Sequence, residues 1–390
     1  MRADLDAELA AIAPTQRRRR PVIDSAGGRT VILTGPGNKR RRLINWASND
    51  YLGALGRLKV KNGAIKAIRR YGPGSGAARL LGGLRCHRRL EERLAHFLGS
   101  EDTLITTTGY QANIAAVTTL VGPPEDAVIL NRLCHASTYD AAKLSGAALL
   151  RFRHNDLEDL ERQLQRSEGA PRRLVCVESV YSMDGDESPL VEIAALCERH
   201  GALLLIDEAH ALGIFGSGRG LAAELGVRAD LIVGTCSKAL GAQGGFLAGD
   251  STLIELAVNR ARSFIFSTAP VPAAMGAAVG MLDCLRAEPS LPEQLLTRCQ
   301  KVRAAIATQG WELPAARGPI IPLIVGDEAT ALRVAELLRE AGHHAPAIRP
   351  PTVPTGSSRI RLTITLAHTD ADLRKLIAVL AQLRAGLPRL

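Results

Sequence analysis

A chain of 390 residues, 46% hydrophobic and 23% charged, is long enough for two or three domains and has the composition of a globular protein. Aromatics are only 3%, which argues against base-stacking platforms for single-stranded nucleic acid and leaves packing to Ala, Leu, Val and Ile. The net charge of +10 is concentrated early, in Arg17–Arg20 and Lys39–Arg42, clusters that read as a solvated face or as a surface for an anionic partner.

In chain order, "MRADLDAELAAIAP" predicts a short amphipathic helix with acids inside it, unlike a signal peptide. No apolar run approaches the ~20 residues of a membrane span. The seven cysteines, an odd number without a C-x-x-C pair, predict reduced thiols and a cytoplasmic setting. We expect an N-terminal segment over 1–48, a large domain over 49–280 and a small C-terminal domain over 281–390.

"GPGSGAARLLGG" (Gly72–Gly83) is glycine-rich but lacks the preceding strand of a dinucleotide fingerprint. From about residue 100 to 250, short apolar runs alternate with helical segments. "DTLITT" leads into a helix from Tyr110, and "DAVILN" into one from His135. "RRLVCVES" and "ALLLID" flank "SPLVEIAALCERHG", which ends on a glycine as a helix C-terminus should. "ADLIVGT" and "GGFLAG" follow. Such runs, spaced by helices, predict an α/β fold whose central sheet is mostly parallel and covered on both faces. After about residue 270, "PAAMGAAVGMLDCLRAE", "PIIPLIVG", "EATALRVAELLREAG" and "SRIRLTITL" suggest a smaller α+β domain.

Ligands of open α/β sheets bind outside the carboxyl ends of the strands. That rule selects Gly109, Tyr110, His135, Ser182, Asp207 with His210, and Thr235 to Lys238. "IDEAHALG" could be a helicase DEAH box, but that chemistry needs a G-x-x-x-x-G-K-[ST] phosphate loop, and no Gly-Lys pair occurs. Asp207 at the end of a buried strand needs a cationic partner or strong hydrogen bonds. Lys238 in a structural ion pair is one solution. The protonated ring nitrogen of pyridoxal phosphate (PLP), with Lys238 as its Schiff-base lysine, is another.

"ITTTGYQANIAA" offers an anion cradle at a helix start, or an ordinary strand-to-helix turn. His135 is a structural histidine or a ring that stacks on a planar cofactor. Cys86, His87, Cys134 and His135 lack metal-ligand spacing, so no metal is expected. "ESVYSMDGD" (Glu178–Asp186) is an acidic loop or a turn closing the site. Arg359 and Arg361 share one strand face, either solvated or turned in to meet a carboxylate.

Together "NDYLG" (Asn49–Gly53), "GSG", "TTGYQAN", "HAS", "SMDGD", "DEAHALG", "TCSKALG" and "RIRLTIT", in this order over nearly the whole chain, resemble the α-oxoamine synthases. These PLP enzymes join an amino acid to an acyl thioester with loss of CO₂. The resemblance implies a PLP-dependent transferase fold, with Lys238 holding the cofactor, Asp207 pairing with its ring nitrogen and His135 stacking on the ring. Ser182, His210 and Thr235 would contact the ring oxygen or flank the cofactor. Gly109 and Tyr110 (often Phe in the family) would bind the phosphate through their backbone.

Ser267 and Thr268 match positions that reach the phosphate from the other subunit, which implies a homodimer with active sites at the interface. Arg17, Asn49, Ser75, His135, Thr352 and Arg361 fall at substrate-binding positions. "AIRPPTVPTGSSRIRLTIT" is most like the biotin-pathway member, which takes L-alanine and pimeloyl-CoA or a pimeloyl-acyl carrier protein. The glycine-using members, 2-amino-3-ketobutyrate CoA ligase and 5-aminolevulinate synthase, are the alternatives. Outside enzymes, the alternative is a basic nucleic-acid-binding protein.

Overall fold

The computed structural model describes residues 2–12, 23, 28–34 and 40–386. Arg17–Arg20 and Lys39 lie outside the described residues, and with them the expected substrate role of Arg17. The chain divides into two compact units, Asp50–Ser182 with Asp186–Leu295, and Met1–Asn49 with Met183–Gly185 and Leu296–Leu390.

β1 (Thr30–Thr34) and β2 (Arg40–Asn45) belong to the smaller unit. The larger unit carries β3 (Asp102–Thr106), β4 (Ala127–Asn131), β5 (Ala148–Phe152), β6 (Arg173–Glu178), β7 (Leu203–Asp207), β8 (Leu231–Thr235) and β9 (Gly245–Gly249). These form one sheet in the order β3-β9-β8-β7-β6-β4-β5. β5, β4, β6, β7 and β8 run parallel, whereas β9 is antiparallel to both of its neighbours, β8 and β3. The expected mostly parallel α/β sheet is therefore present.

The exception has a simple cause. Only Cys236–Gly244 separate β8 from β9, and a parallel crossover needs a dozen or more residues. The chain must turn back. Two antiparallel steps then leave β3 running in the same direction as β8, so β3, β4, β6, β7 and β8 all end at one edge.

β4 is buried along its whole length, as a strand covered on both faces should be. On one face, Ala112, Ala115 and Ala116 of the helix Gly109–Leu120 and Ala141 and Ala142 of the helix Ala136–Ser145 share a core with Val128, Leu130 and Leu174. Small residues let these two helices approach closely. Each buried Leu or Val adds about 1.5–3 kcal/mol. Aliphatic packing thus supplies what the few aromatics cannot.

In the smaller unit β10 (Ile320–Gly326), β11 (His343–His344), β12 (Ala347–Ile348) and β13 (Ser358–Thr363) complete two small sheets, β10-β13-β12 and β1-β2-β11. Arg40, Arg41 and Arg42, within the basic cluster, are all exposed at the start of β2. No two of the seven cysteines are bonded to each other. Among the described residues no helix is long and apolar enough to cross a membrane.

β9 can reach the edge only because residue 245 is glycine. A Cβ there would stand 2.4 Å from the Thr108 carbonyl oxygen and 2.6 Å from the Gly109 nitrogen. Gly245→Ala is expected to destabilise the fold by about 1–3 kcal/mol, the usual cost of overpacking against backbone. The midpoint of denaturant unfolding measures it; an unchanged midpoint contradicts the contact.

Candidate functional site

The strand ends surround a cavity of about 280 Å³. Gly109, Tyr110, His135, Asp207, His210, Thr235, Ser237 and Lys238 line it, so eight residues chosen by the strand-end rule meet in one place. The cavity's floor is the topological switch point. From β4 the chain goes to β5 on one side, while β6 lies on the other.

β3 runs into Thr108, whose hydroxyl caps the helix Gly109–Leu120 by accepting the Gln111 N–H at 3.2 Å. The first helical bond is Ala112 N–H to Thr108 O at 3.1 Å. Helix geometry leaves the N–H groups of Gly109 and Tyr110 without a carbonyl inside the helix, at its positive end. Such a terminus suits an anion.

Asp207, buried at the end of β7, accepts Asn113 Nδ2 at 2.9 Å on one oxygen and the Ala209 N–H at 2.9 Å on the other. Asn113 Nδ2 also lies 3.0 Å from Ser137 Oγ. Ser137 Oγ is in turn 2.7 Å from His135 Nδ1, and the Ser137 N–H donates to the same nitrogen at 3.2 Å. His135 thereby caps the helix Ala136–Ser145 with its own ring. A nitrogen that accepts a backbone N–H is unprotonated, so the neutral tautomer carries its proton on Nε2. The ring is open to the cavity, yet the surrounding protein disfavours the imidazolium. Desolvation lowers its pKa, assisted by Lys238 and opposed by Asp207.

Lys238 sits in a tightly wound turn. Cys236 N–H donates to Gly244 O at 2.9 Å, Ala242 N–H to Cys236 O at 2.8 Å, and Gly241 N–H to Lys238 O at 3.0 Å. Thr235 Oγ1 adds a bond to Gly244 O at 2.8 Å and accepts the Ser237 N–H at 3.1 Å. His210 is fixed by Tyr51 of the "NDYLG" motif, hydroxyl to Nδ1 at 2.6 Å.

Other expected residues lie elsewhere. Ser75, Ser182, Ser267 and Thr268 belong to the larger unit but are not among the residues lining this cavity. Ser75 donates to Pro270 O at 2.6 Å, Ser267 Oγ accepts Gln111 Nε2 at 3.1 Å, and Thr268 O accepts the Thr107 hydroxyl at 3.0 Å. In the smaller unit, Arg361 donates through both terminal nitrogens to Asn49 Oδ1 at 3.2 Å, and to Thr363 Oγ1 at 3.0 Å. Two expected substrate residues from opposite ends of the chain thus meet. Thr352 is exposed there. Arg359, on the same face as Arg361, is buried in an ion pair with Asp184, so it is neither solvated nor turned to a ligand.

Among the cavity residues outside the strand-end selection, Asn113 and Glu178 carry polar groups tied to Asp207 and His135. Asn113 lies one helical turn beyond Gly109, a spacing that puts both on one face. Glu178 ends β6 as Asp207 ends β7, and the two are paired in register. Its Oε1 accepts the His135 N–H at 2.6 Å.

The family described as aminotransferase class I and II matches residues 41–380. An 8-amino-7-oxononanoate synthase of Anaeromyxobacter dehalogenans is 45% identical over 98% of this chain and 96% of its own length. The chain belongs to this family. Its fold matches a serine palmitoyltransferase of Sphingomonas wittichii with a TM-score of 0.91 at 31% identity, covering 99% of this chain and 98% of that one. A structure of SPT with PLP gives 0.90 at 28% identity, covering 100% and 96%. The fold is that of PLP-dependent transferases, as the motif order implied.

His135 supplies a direct check. Its folded-state pKa is depressed below 6.5, so the stability it lends is present above that pH and is lost as the pH falls through the folded value. Site-resolved nitrogen NMR should show the Nε2–H tautomer at pH 7 and a titration midpoint below 6.5. A midpoint at or above 6.5 contradicts the capping geometry.

Proposed function

We propose that the chain joins L-alanine to a pimeloyl thioester, with loss of CO₂, giving 8-amino-7-oxononanoate for biotin synthesis, and that PLP occupies the cavity of the larger unit. The observation that carries this reading is the convergence of Lys238, Asp207 and His135 on one cavity, in a chain 45% identical over 98% of its length to such a synthase. It is an acyltransferase.

The donor set fits PLP. A phosphate matches the free N–H groups where the helix Gly109–Leu120 begins, a site kept open by Gly245. A cationic ring nitrogen matches the Asp207 carboxylate. A planar ring matches the open face of His135, and His210 and Thr235 present side chains to the same cavity. The buried Asn113 Oδ1, aimed from the cavity wall, has no partner among the described residues.

When bound, PLP supplies an electron sink for a carbanion at the amino acid's Cα. Asp207 holds the proton on the ring nitrogen. At contact distance and an effective dielectric of ~20 the attraction is about 4 kcal/mol, roughly 3 pKa units. Asn113 Nδ2 and the Ala209 N–H keep that carboxylate aimed. Lys238 Nζ would hold the cofactor and, as an amine, would take the Cα proton of L-alanine. The Cα then attacks the thioester carbonyl, the thiol leaves, the former alanine carboxylate departs as CO₂, and a proton returns to carbon. His135 offers the ring face and one Nε2–H donor.

Arg361, pre-oriented by Asn49, takes a substrate carboxylate, with Ser75 and Thr352 as further substrate contacts and Arg17 for the distal end of the acyl chain. The active form is a homodimer in which Ser267 and Thr268 serve the other subunit. Phe266 (69% exposed) precedes Ser267, Leu81 (80% exposed) follows Ala78, which bridges to Thr268, and these exposed apolar side chains support a covered face. The cytoplasm is the expected compartment.

Two experiments test the reading. Borohydride reduction should fix the cofactor on the peptide containing Lys238, and Lys238→Ala should lose the visible absorption band; reduced cofactor on another lysine refutes the site. A matrix of amino acids against acyl thioesters, scored by thiol release, should favour L-alanine with pimeloyl-CoA or its carrier-bound form. Faster turnover of glycine with acetyl- or succinyl-CoA would move the chain to a glycine-using member.

A further inference from the structure

The register of β6 and β7 places two carboxyl groups, Glu178 and Asp207, side by side at one strand edge, both buried. Two adjacent buried carboxylates repel, and one of them favours the neutral form. Asp207 accepts the side-chain amide of Asn113 and a backbone N–H, and its partner in the proposed reaction is a cation. Glu178 instead grips the main chain, accepting the His135 N–H at 2.6 Å across the switch point.

We propose that Glu178 is a neutral, proton-bearing positioning residue that fixes His135 at the cavity wall and leaves the negative charge to Asp207. This rests on the PLP reading for its catalytic meaning, though not for its first test.

The groups facing Glu178 come from every side. Asp207 of β7 repels its charge and Lys238 attracts it, while the Cys134 thiol before the helix Ala136–Ser145 and the Tyr181 hydroxyl beyond β6 are held neutral beside it. The backbone N–H groups of His135 and Ser182 also favour the carboxylate, yet burial, then Asp207, push its pKa well above the usual 4.5. Lys238 is the main charge favouring ionisation. Nothing in the proposed reaction needs a second carboxylate there. An ionised Glu178 would draw the Lys238 amine into an ion pair and remove it from its role as base.

The sign of the linkage is fixed. A carboxyl whose folded pKa is raised contributes stability that is complete below its unfolded value and lost as pH rises toward the folded value. Glu178→Gln, a shape match for the protonated acid, removes that loss. Thermal midpoints of full-length, cofactor-free protein should be measured from pH 5 to 8 for both forms. The wild type should lose several degrees relative to Glu178→Gln as pH rises. A gap that stays flat, or moves in favour of the wild type, shows an ionised Glu178 and overturns the proposal.

The positioning role is read from equilibrium PLP binding at pH 7. Glu178→Gln, which still accepts the His135 N–H, should bind within about threefold of wild type, whereas Glu178→Ala should bind at least about tenfold more weakly, the loss typical of an unpaired buried donor. Wild-type affinity in Glu178→Ala, or a tenfold loss in Glu178→Gln, also overturns it. If the wild type binds no PLP at all, the functional reading fails, and the pH series still decides the state of Glu178.

Discussion

Everything at the cavity depends on how many negative charges the parallel strand ends can hold. Parallel pairing puts the last residues of β6 and β7 in register, so Glu178 and Asp207 are neighbours by topology. Surrounding groups then separate them. Asn113 and a backbone N–H hold the Asp207 carboxylate, whereas burial, then the neighbouring Asp207, favour a proton on Glu178 against the pull of its main-chain contacts. Two identical functional groups acquire different chemistry from environment alone. The His135 ring sits between them in the network, its backbone tied to Glu178 and its Nδ1 tied through Ser137 to Asn113 and so to Asp207.

The second constraint is length. With only Cys236–Gly244 available, β9 must return beside β8, and the turn that reverses the chain is the segment that bears Lys238. A longer helical crossover would have carried the lysine away from the edge. Because β9 then lies between β8 and β3, its first residue presses against the turn that opens the helix Gly109–Leu120, and only glycine fits. Lysine placement and anion cradle are therefore two consequences of one short connection.

This explains what was legible in the sequence. Apolar runs that stop at a polar residue mark strand ends, and eight residues selected there do meet around one cavity. Glu178 was not legible, because a buried carboxyl in register with Asp207 and an acid in a loop look alike until the pairing of β6 with β7 is known. Arg359 shows the same limit. Alternation put it on one face with Arg361, but its partner Asp184 stands 175 positions away in sequence. β2 was hidden by its own composition, since "RRRLIN" reads as a basic cluster and becomes a strand only through pairing with "TVILT".

Fold and substrate choice are carried by different parts of such a chain. The serine palmitoyltransferase shares the backbone at a TM-score of 0.91 with 31% identity, so strand order and cavity edge cannot distinguish one acyl transfer from another. The synthase relative, at 45% identity, shares more of the side chains hung on that frame. A single methylene on a substrate changes selectivity by only about 1–3 kcal/mol. Selection between L-alanine and glycine therefore needs no change in fold.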